Sequence, residues 1–275
     1  KLPHIVRSHD IFNSRSDIFP YSIYHKSTYS QIFRSISSAK IFYANSSEMM
    51  DYFIQMKKFE DVDFKVHHNG VDTEKFYPSK NQEVLKSKFG ADVILLTVGG
   101  LIEDYGIHKF IKLFPEILKQ YKDTHIVLVG DGYYKKFIHD YAQNHGIIKN
   151  VHLLGVKPHQ QIPFYINNCD VGIGRITDNK FIRYSISSKC LEFMACGKPF
   201  ITAPLSKDLI ANNDVGIKVK RNHTKKELLN AFITLIEDKD LRKKLGEKGL
   251  NKVKAHFEWN QIMREFNNDL QKYIP

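Results

Sequence analysis

The sequence predicts an α/β protein, a doubly wound parallel sheet of Rossmann-like type, and two observations lead there. "VILLTVGG", "HIVLVGDG", "VHLLG", "DVGIG" and "PFITA" are apolar runs that continue rather than alternate, as strands covered on both faces do. Amphipathic stretches separate them, and the right-handed crossover rule winds such an alternation into a sheet with helices on both sides.

The elements follow in order. "HIVRSH" and "KIFYANS" read as short strands near the start, and "DFKVHHNGVD" as a strand ending in a turn. After a polar stretch around Pro78 to Gln82 the pattern sharpens: "VILLTVGG" precedes the helical "IHKFIKLFPEILKQY", and "HIVLVGDG" precedes "YYKKFIHDYAQNHG". Then come "VHLLG", the short helix "HQQIPFYINN", "DVGIG", a helix within "SSKCLEFMACGKPF", and "PFITA". "ELLNAFITLIED" and "FEWNQIMREFNNDLQKYI" close the chain as helices, with no repeat or low-complexity segment anywhere.

At 275 residues the chain is long enough for two compact domains or one large one. With 42% apolar and 26% charged residues it is a folding sequence rather than a disordered one. No apolar run approaches the roughly 18 residues of a membrane span, and no signal peptide opens the chain. It begins with Lys1, from which we expect a missing N-terminal portion. Cys169, Cys190 and Cys196 are too few for a disulfide framework and lack metal-ligand spacing, so a reducing, cytoplasmic setting is expected. The net charge of +11 draws polyanions, although a lysine-rich solvated surface gives the same number. Nothing interleaves basic and aromatic residues as a nucleic-acid module does, so no nucleic-acid partner is expected.

In such a sheet the ligand lies beyond the carboxyl ends of the strands. The loops gathered there are "GGLIEDYG", "GDGYY", "GVKPH", "GRITDNKFIRYSISSK" and "APLSKD". Their repeated glycines suit a phosphate or nucleotide. A helix starting at Ser187 or Ser188 offers free N–H groups and a positive dipole end to an anion. Lys189 in its first turn suits a diphosphate better than it suits the dipole, while Gly197 and Pro199 end the helix. Glu192 sits in the apolar run Cys190–Cys196, where an unpaired carboxylate is expensive. Its partner is either the vicinal hydroxyls of a ribose or a neighbouring lysine or arginine.

A chain of motifs in register resembles the group-one, retaining glycosyltransferases of the GT-B fold. "HHNGVDTEKFYP" is similar to the family's interdomain segment and "LLTVGGLIEDYGIHKFI" to the first strand and phosphate loop of its donor domain. "HIVLVGDGYY", "VHLLGVKPHQQIPFYINNCDVGI", "SSKCLEFMACGKPFIT" and "LRKKLGEKGLNKVKAHFEWNQI" follow where that family has their counterparts. The resemblance implies a GT-B arrangement with an incomplete N-terminal domain. Residues 1–78 are then the end of the acceptor-side domain, 79–256 the nucleotide-sugar donor domain, and 257–275 a helix packing back toward the N-terminal part. It implies that Glu192 grips the ribose and that Ser187, Ser188 and Lys189 face the diphosphate. Gly130, Asp131, Gly132, Val156 and Lys157 hold the base, and Gly99 and Gly100 form the phosphate loop. His9, which is otherwise an ordinary loop histidine, faces the donor sugar as the catalytic residue. Sugar passes with retention to a glycan or lipid-linked acceptor, in cell-surface polysaccharide or glycolipid synthesis. No cofactor or metal is needed, and the protein works in the cytoplasm or at the inner face of the membrane.

Three departures stand against that pattern. Gly100 and Tyr105 occupy positions where the family usually carries basic residues, so two diphosphate clamps are missing, for which Arg175, Lys180, Arg183 or Lys189 could substitute. Tyr184 occupies the place of a second glutamate, which bears on how the donor sugar is held. About 75 residues precede the donor domain where an acceptor domain needs well over 100. A non-catalytic nucleotide-sugar-binding domain is the alternative. A sugar-nucleotide epimerase fits the "NGVD" and "EFMACGKP" pattern less well.

Overall fold

The structure, a computed structural model, describes residues 5–8, 34–55, 59, 61–80, 83–177, 184–220 and 222–273. Two parallel sheets organise it. The smaller runs β1 (Ile5–Ser8), β2 (Ile41–Ala44) and β3 (Asp63–Val66) in that order. The larger contains β4 (Val93–Val98), β5 (Thr124–Val129), β6 (Val151–Gly155), β7 (Val171–Ile173), β8 (Phe200–Thr202) and β9 (Ile217–Lys218). Its order is β6-β5-β4-β7-β8-β9, so the direction of winding reverses between β4 and β7.

Both faces of the larger sheet are covered, as the continuous apolar strands require. Val93 and Leu95 of β4 and Ile126 and Leu128 of β5 feed one core. Their alternating neighbours Ile94, Leu96, Val127 and Val129 feed the other. Helices α3 (Ile107–Leu118), α4 (Lys135–Asn144) and α7 (Lys225–Glu237) contribute Phe110, Ile138 and Phe232 to the first core. Helices α2 (Val84–Phe89), α5 (Ile162–Asn167) and α6 (Ser188–Ala195) contribute Leu85, Ile166 and Phe193 to the second. A third, smaller core lies under β2 and α1 (Ser47–Gln55), around Phe42, Met49 and Phe53. The two-residue strand β9 and the helices α1 and α2 were not foreseen in the sequence pattern, and "HQQIPFYINN" divides into a 3₁₀ turn (His159–Gln161) and α5. All three cysteines are buried and free.

The closing helices tie the two sheets together. Helix α8 (Lys239–His256) packs on α6, and α9 (Trp259–Leu270) lies against the small sheet. There Asp269 accepts from Tyr43 at 2.8 Å and pairs with Lys65. The Phe266 ring stands edge-on to Tyr43, 5.0 Å between centroids.

Gly246 of α8 touches the turn that ends α6, where Gly197 has φ +67°. A Cβ at residue 246 would run into the Gly197 carbonyl oxygen and sit 2.8 Å from its carbon. Gly246→Ala is therefore expected to destabilise the fold, although alanine's helix propensity returns up to about 1 kcal/mol. A net loss of about 1–3 kcal/mol should appear as a lower urea midpoint with an unchanged m-value. An unchanged midpoint would show that the helix slides freely.

Candidate donor-binding site

The site is built where the winding reverses. Three loops after β4, β5 and β6 continue the ladder beyond the strands: the Gly99 N–H donates to Val129 O at 2.9 Å, Leu101 to Asp131 O at 2.8 Å, and Gly130 to Gly155 O at 2.9 Å. Such closeness leaves no room for a side chain. Gly130, at φ +142°, would drive a Cβ into the Gly99 carbonyl oxygen, and Gly132 would meet the Leu101 carbonyl. The glycines singled out in the sequence thus serve first to bring these loops together. Val156, on the loop after β6, and Tyr133, on the loop after β5, are 72% and 70% exposed. Lys157 is half-buried beside them. Asp131 is held by the Gly132 N–H at 2.8 Å and by Lys135 at 3.0 Å, and Lys135 keeps its carboxyl below the usual range.

Across the reversal, helix α6 opens toward the same space. Ser187 is its N-cap and accepts from the Cys190 N–H at 3.4 Å, and Ser188 stands exposed. Asn69 fixes this start: its side-chain amide donates to the Ile186 carbonyl at 3.0 Å, and its own N–H donates to Asn45 Oδ1 at 3.1 Å. Arg7 from β1 reaches Asn69 Oδ1 at 3.4 Å and the His68 carbonyl at 3.2 Å. The "HHNGVD" segment is thereby a fastening, since Val71 also pairs with the chain at Phe257 and Trp259. Gly70 is needed because a Cβ would sit 2.8 Å from the Trp259 ring.

Glu192 lies one turn into α6, its side chain 18% exposed. Its partner is neither lysine nor arginine but His159, whose Nε2 is 3.5 Å from the carboxylate. His159 stands in the turn after β6, with its ring 5.3 Å from the buried Phe76. Burial raises the Glu192 carboxyl above its usual range, against the pull of His159 and Lys189. His159 was missed in the sequence; a histidine 33 residues before Glu192, in a polar loop, carries no local pattern. Lys189 points to the β4 loop, its ammonium 4.6 Å from the Tyr105 ring centroid, and burial pushes it down to about 8.

The Tyr184 ring stacks on Tyr52 of α1 at 6.1 Å, and its carbonyl accepts from Ser46. His9 and Arg183, like Lys180, lie outside the described residues. The remaining predicted positions, Gly99, Gly100, Gly130, Asp131, Gly132, Val156, Lys157, Ser187, Ser188, Lys189 and Glu192, all stand on the loops or the helix start at the carboxyl end of the sheet.

A parallel sheet in this order, with a helix start and a buried carboxylate at its reversal, is a doubly wound α/β unit. Residues 80–252 match the model of the group 1 glycosyl transferases, and the chain belongs to that family. It is 25% identical over 236 residues to an uncharacterized glycosyltransferase of Methanocaldococcus jannaschii, covering 83% of this chain and 57% of that protein. It is also 25% identical over 217 residues to the capsular polysaccharide biosynthesis glycosyltransferase CapM of Staphylococcus aureus, covering 74% and 54%. The chain thus spans a little over half the length of these relatives. The crystal structure of Anabaena HepE in complex with UDP matches it with a TM-score of 0.81 at 21% identity, over 98% of this chain and 72% of that one. The fold is that of GT-B glycosyltransferases.

The raised Glu192 carboxyl has a consequence for stability. The unfolded chain loses that proton first, at about pH 4.3, so stability falls as pH rises from there through the folded value. Glu192→Gln is expected to raise the melting temperature at about pH 7.5 and leave it unchanged near pH 4. A variant melting no higher than the parent at the upper pH would show the carboxylate to be fully compensated.

Proposed function

We propose that this chain carries the donor site of a retaining glycosyltransferase that moves a sugar from a nucleotide-diphosphate sugar to an acceptor hydroxyl. The observation that carries it is the pairing, on one short helix, of an anion-ready start with a buried carboxylate one turn further in. A diphosphate at the Ser187–Lys189 end places the ribose hydroxyls where Glu192 can accept both. The exposed Tyr133 and Val156 surfaces then meet the flat base. As the sugar–phosphate bond breaks, its electron pair passes to the diphosphate oxygen, and the helix N–H groups and the Lys189 ammonium stabilise that charge. This leaves the work to protein cations and needs no bound metal. By the resemblance, His9 faces the oxocarbenium-like sugar, and the acceptor hydroxyl attacks the face the diphosphate leaves, passing its proton to the departing phosphate oxygen, which retains configuration.

In this reading residues 79–256 form the donor domain and residues 1–78, with the closing helix, the acceptor side. The acceptor is a glycan or a lipid-linked glycan, as the name of the capsular polysaccharide relative suggests. The +11 charge suits work at an anionic inner membrane face in the cytoplasm. No helix among the described residues is long and apolar enough to cross a membrane. The uncharged Gly100 and Tyr105 favour a second reading, a nucleotide-sugar-binding unit without turnover; release of free sugar or transfer to an acceptor separates the two.

Thermal shifts with UDP, GDP, ADP, CMP and their common sugars, with and without a divalent metal, test the donor site. One base family should stabilise the protein independently of metal. Glu192→Ala should then weaken that diphosphate by roughly 10- to 150-fold, the worth of charge-assisted hydrogen bonds. Unchanged affinity in a folded variant would end the ribose assignment.

A further inference from the structure

Tyr105 stands at the reversal of the sheet with two cations against its ring. The Arg175 guanidinium carbon is 4.7 Å from its ring centroid and the Lys189 ammonium 4.6 Å. Its backbone is fixed there: the Ile176 N–H donates to the Tyr105 carbonyl at 3.0 Å, which joins the β4 loop to the β7 loop. Two like charges on one ring repel, and the negative ring face offsets only part of that. Among the described residues Lys189 makes no ion pair and no hydrogen bond, so its charge is left for something else. The adjacent backbone is bare. Gly99 and Gly100 carry no side chains, and a Cβ at either would lie 3.7 Å from Lys189 Nζ or 3.4 Å from the Tyr105 ring. The helix start at Ser187 adds its dipole to the same corner.

We propose that Tyr105 is the positioning residue of a two-cation clamp, its ring holding Arg175 and Lys189 side by side to receive the donor diphosphate. The inference rests on the donor-site reading above and names the residues that supply its phosphate affinity. Tyr105 acts through the two cations and does not itself touch the reacting atoms. Only the aromatic face is required, so the hydroxyl is dispensable.

The test is calorimetric titration of UDP, GDP and ADP against the matching nucleosides, read as the ratio of the two affinities. Tyr105→Phe should keep the wild-type ratio within about twofold, whereas Tyr105→Leu and Lys189→Gln should each lower it about tenfold, the size of a desolvated cation–π contact or a lost phosphate contact. Nucleoside affinity itself should not move. An unchanged ratio in Tyr105→Leu overturns the positioning role and leaves the donor site standing. Should that variant fail to fold, an unchanged ratio in Lys189→Gln overturns the clamp by itself. A wild-type protein that binds none of the three diphosphates overturns the donor site and the clamp together.

Discussion

One side-chain amide holds the architecture to its site. Asn69 donates to the carbonyl just ahead of helix α6 while its own backbone is gripped by Asn45 and its side-chain oxygen by Arg7. Those partners come from β1 and from the end of β2, so the small sheet positions the helix start of the large one. The next residues of the same segment pair with the chain around Phe257 and Trp259. Loss of this fastening would loosen the helix start and its tie to the small sheet at once. A half-buried amide that both donates and accepts is well suited to that task, because moving it breaks bonds to two other segments at once.

The site gathered at that fastening works against the stability of the free protein. Glu192 is buried enough to hold its proton above the usual range, and Lys189 is buried enough to release its own more easily. They lie close in sequence on α6 yet make no ion pair with each other. Each faces outward to a different loop, Glu192 to the turn after β6 and Lys189 to the loop after β4. Direct pairing would relieve the burial cost and also cancel the charges a diphosphate and a ribose would meet. Their separation keeps both charges available to a ligand.

The sheet was readable in the sequence because strands buried on both faces must be apolar throughout, and the glycines after them mark where loops touch backbone to backbone. Ser187 as cap, Gly197 as terminator and Glu192 as the anomalous carboxylate were readable for the same reason: each breaks a local rule. What escaped was non-local. His159 reaches Glu192 from another loop with its ring beside Phe76, and Tyr105 meets cations 70 and 84 residues further on, contacts that only the winding of the sheet creates. The stacking of the Tyr184 ring on Tyr52 of α1 is non-local in the same way. Helix α1 itself left a faint signal, Met49 and Phe53 four apart, too short a pattern to outweigh the polar residues around it.

The position of the cations changes how the two sheets can cooperate. Basic residues on the β4 loop would belong to the large sheet alone and would hold a diphosphate whatever the small sheet did. Arg175 and Lys189 instead stand on either side of the segment that the small sheet grips, where Ser46 bonds the Tyr184 carbonyl and Asn69 bonds the Ile186 carbonyl. A shift of the small sheet therefore moves the helix start that carries Lys189, while Tyr105 remains fixed by the β4 and β7 loops. In the proposed clamp, phosphate affinity then depends on the relation between the sheets. The aromatic ring makes such an arrangement workable: it tolerates sliding of a cation across its face where a carboxylate partner would lock it.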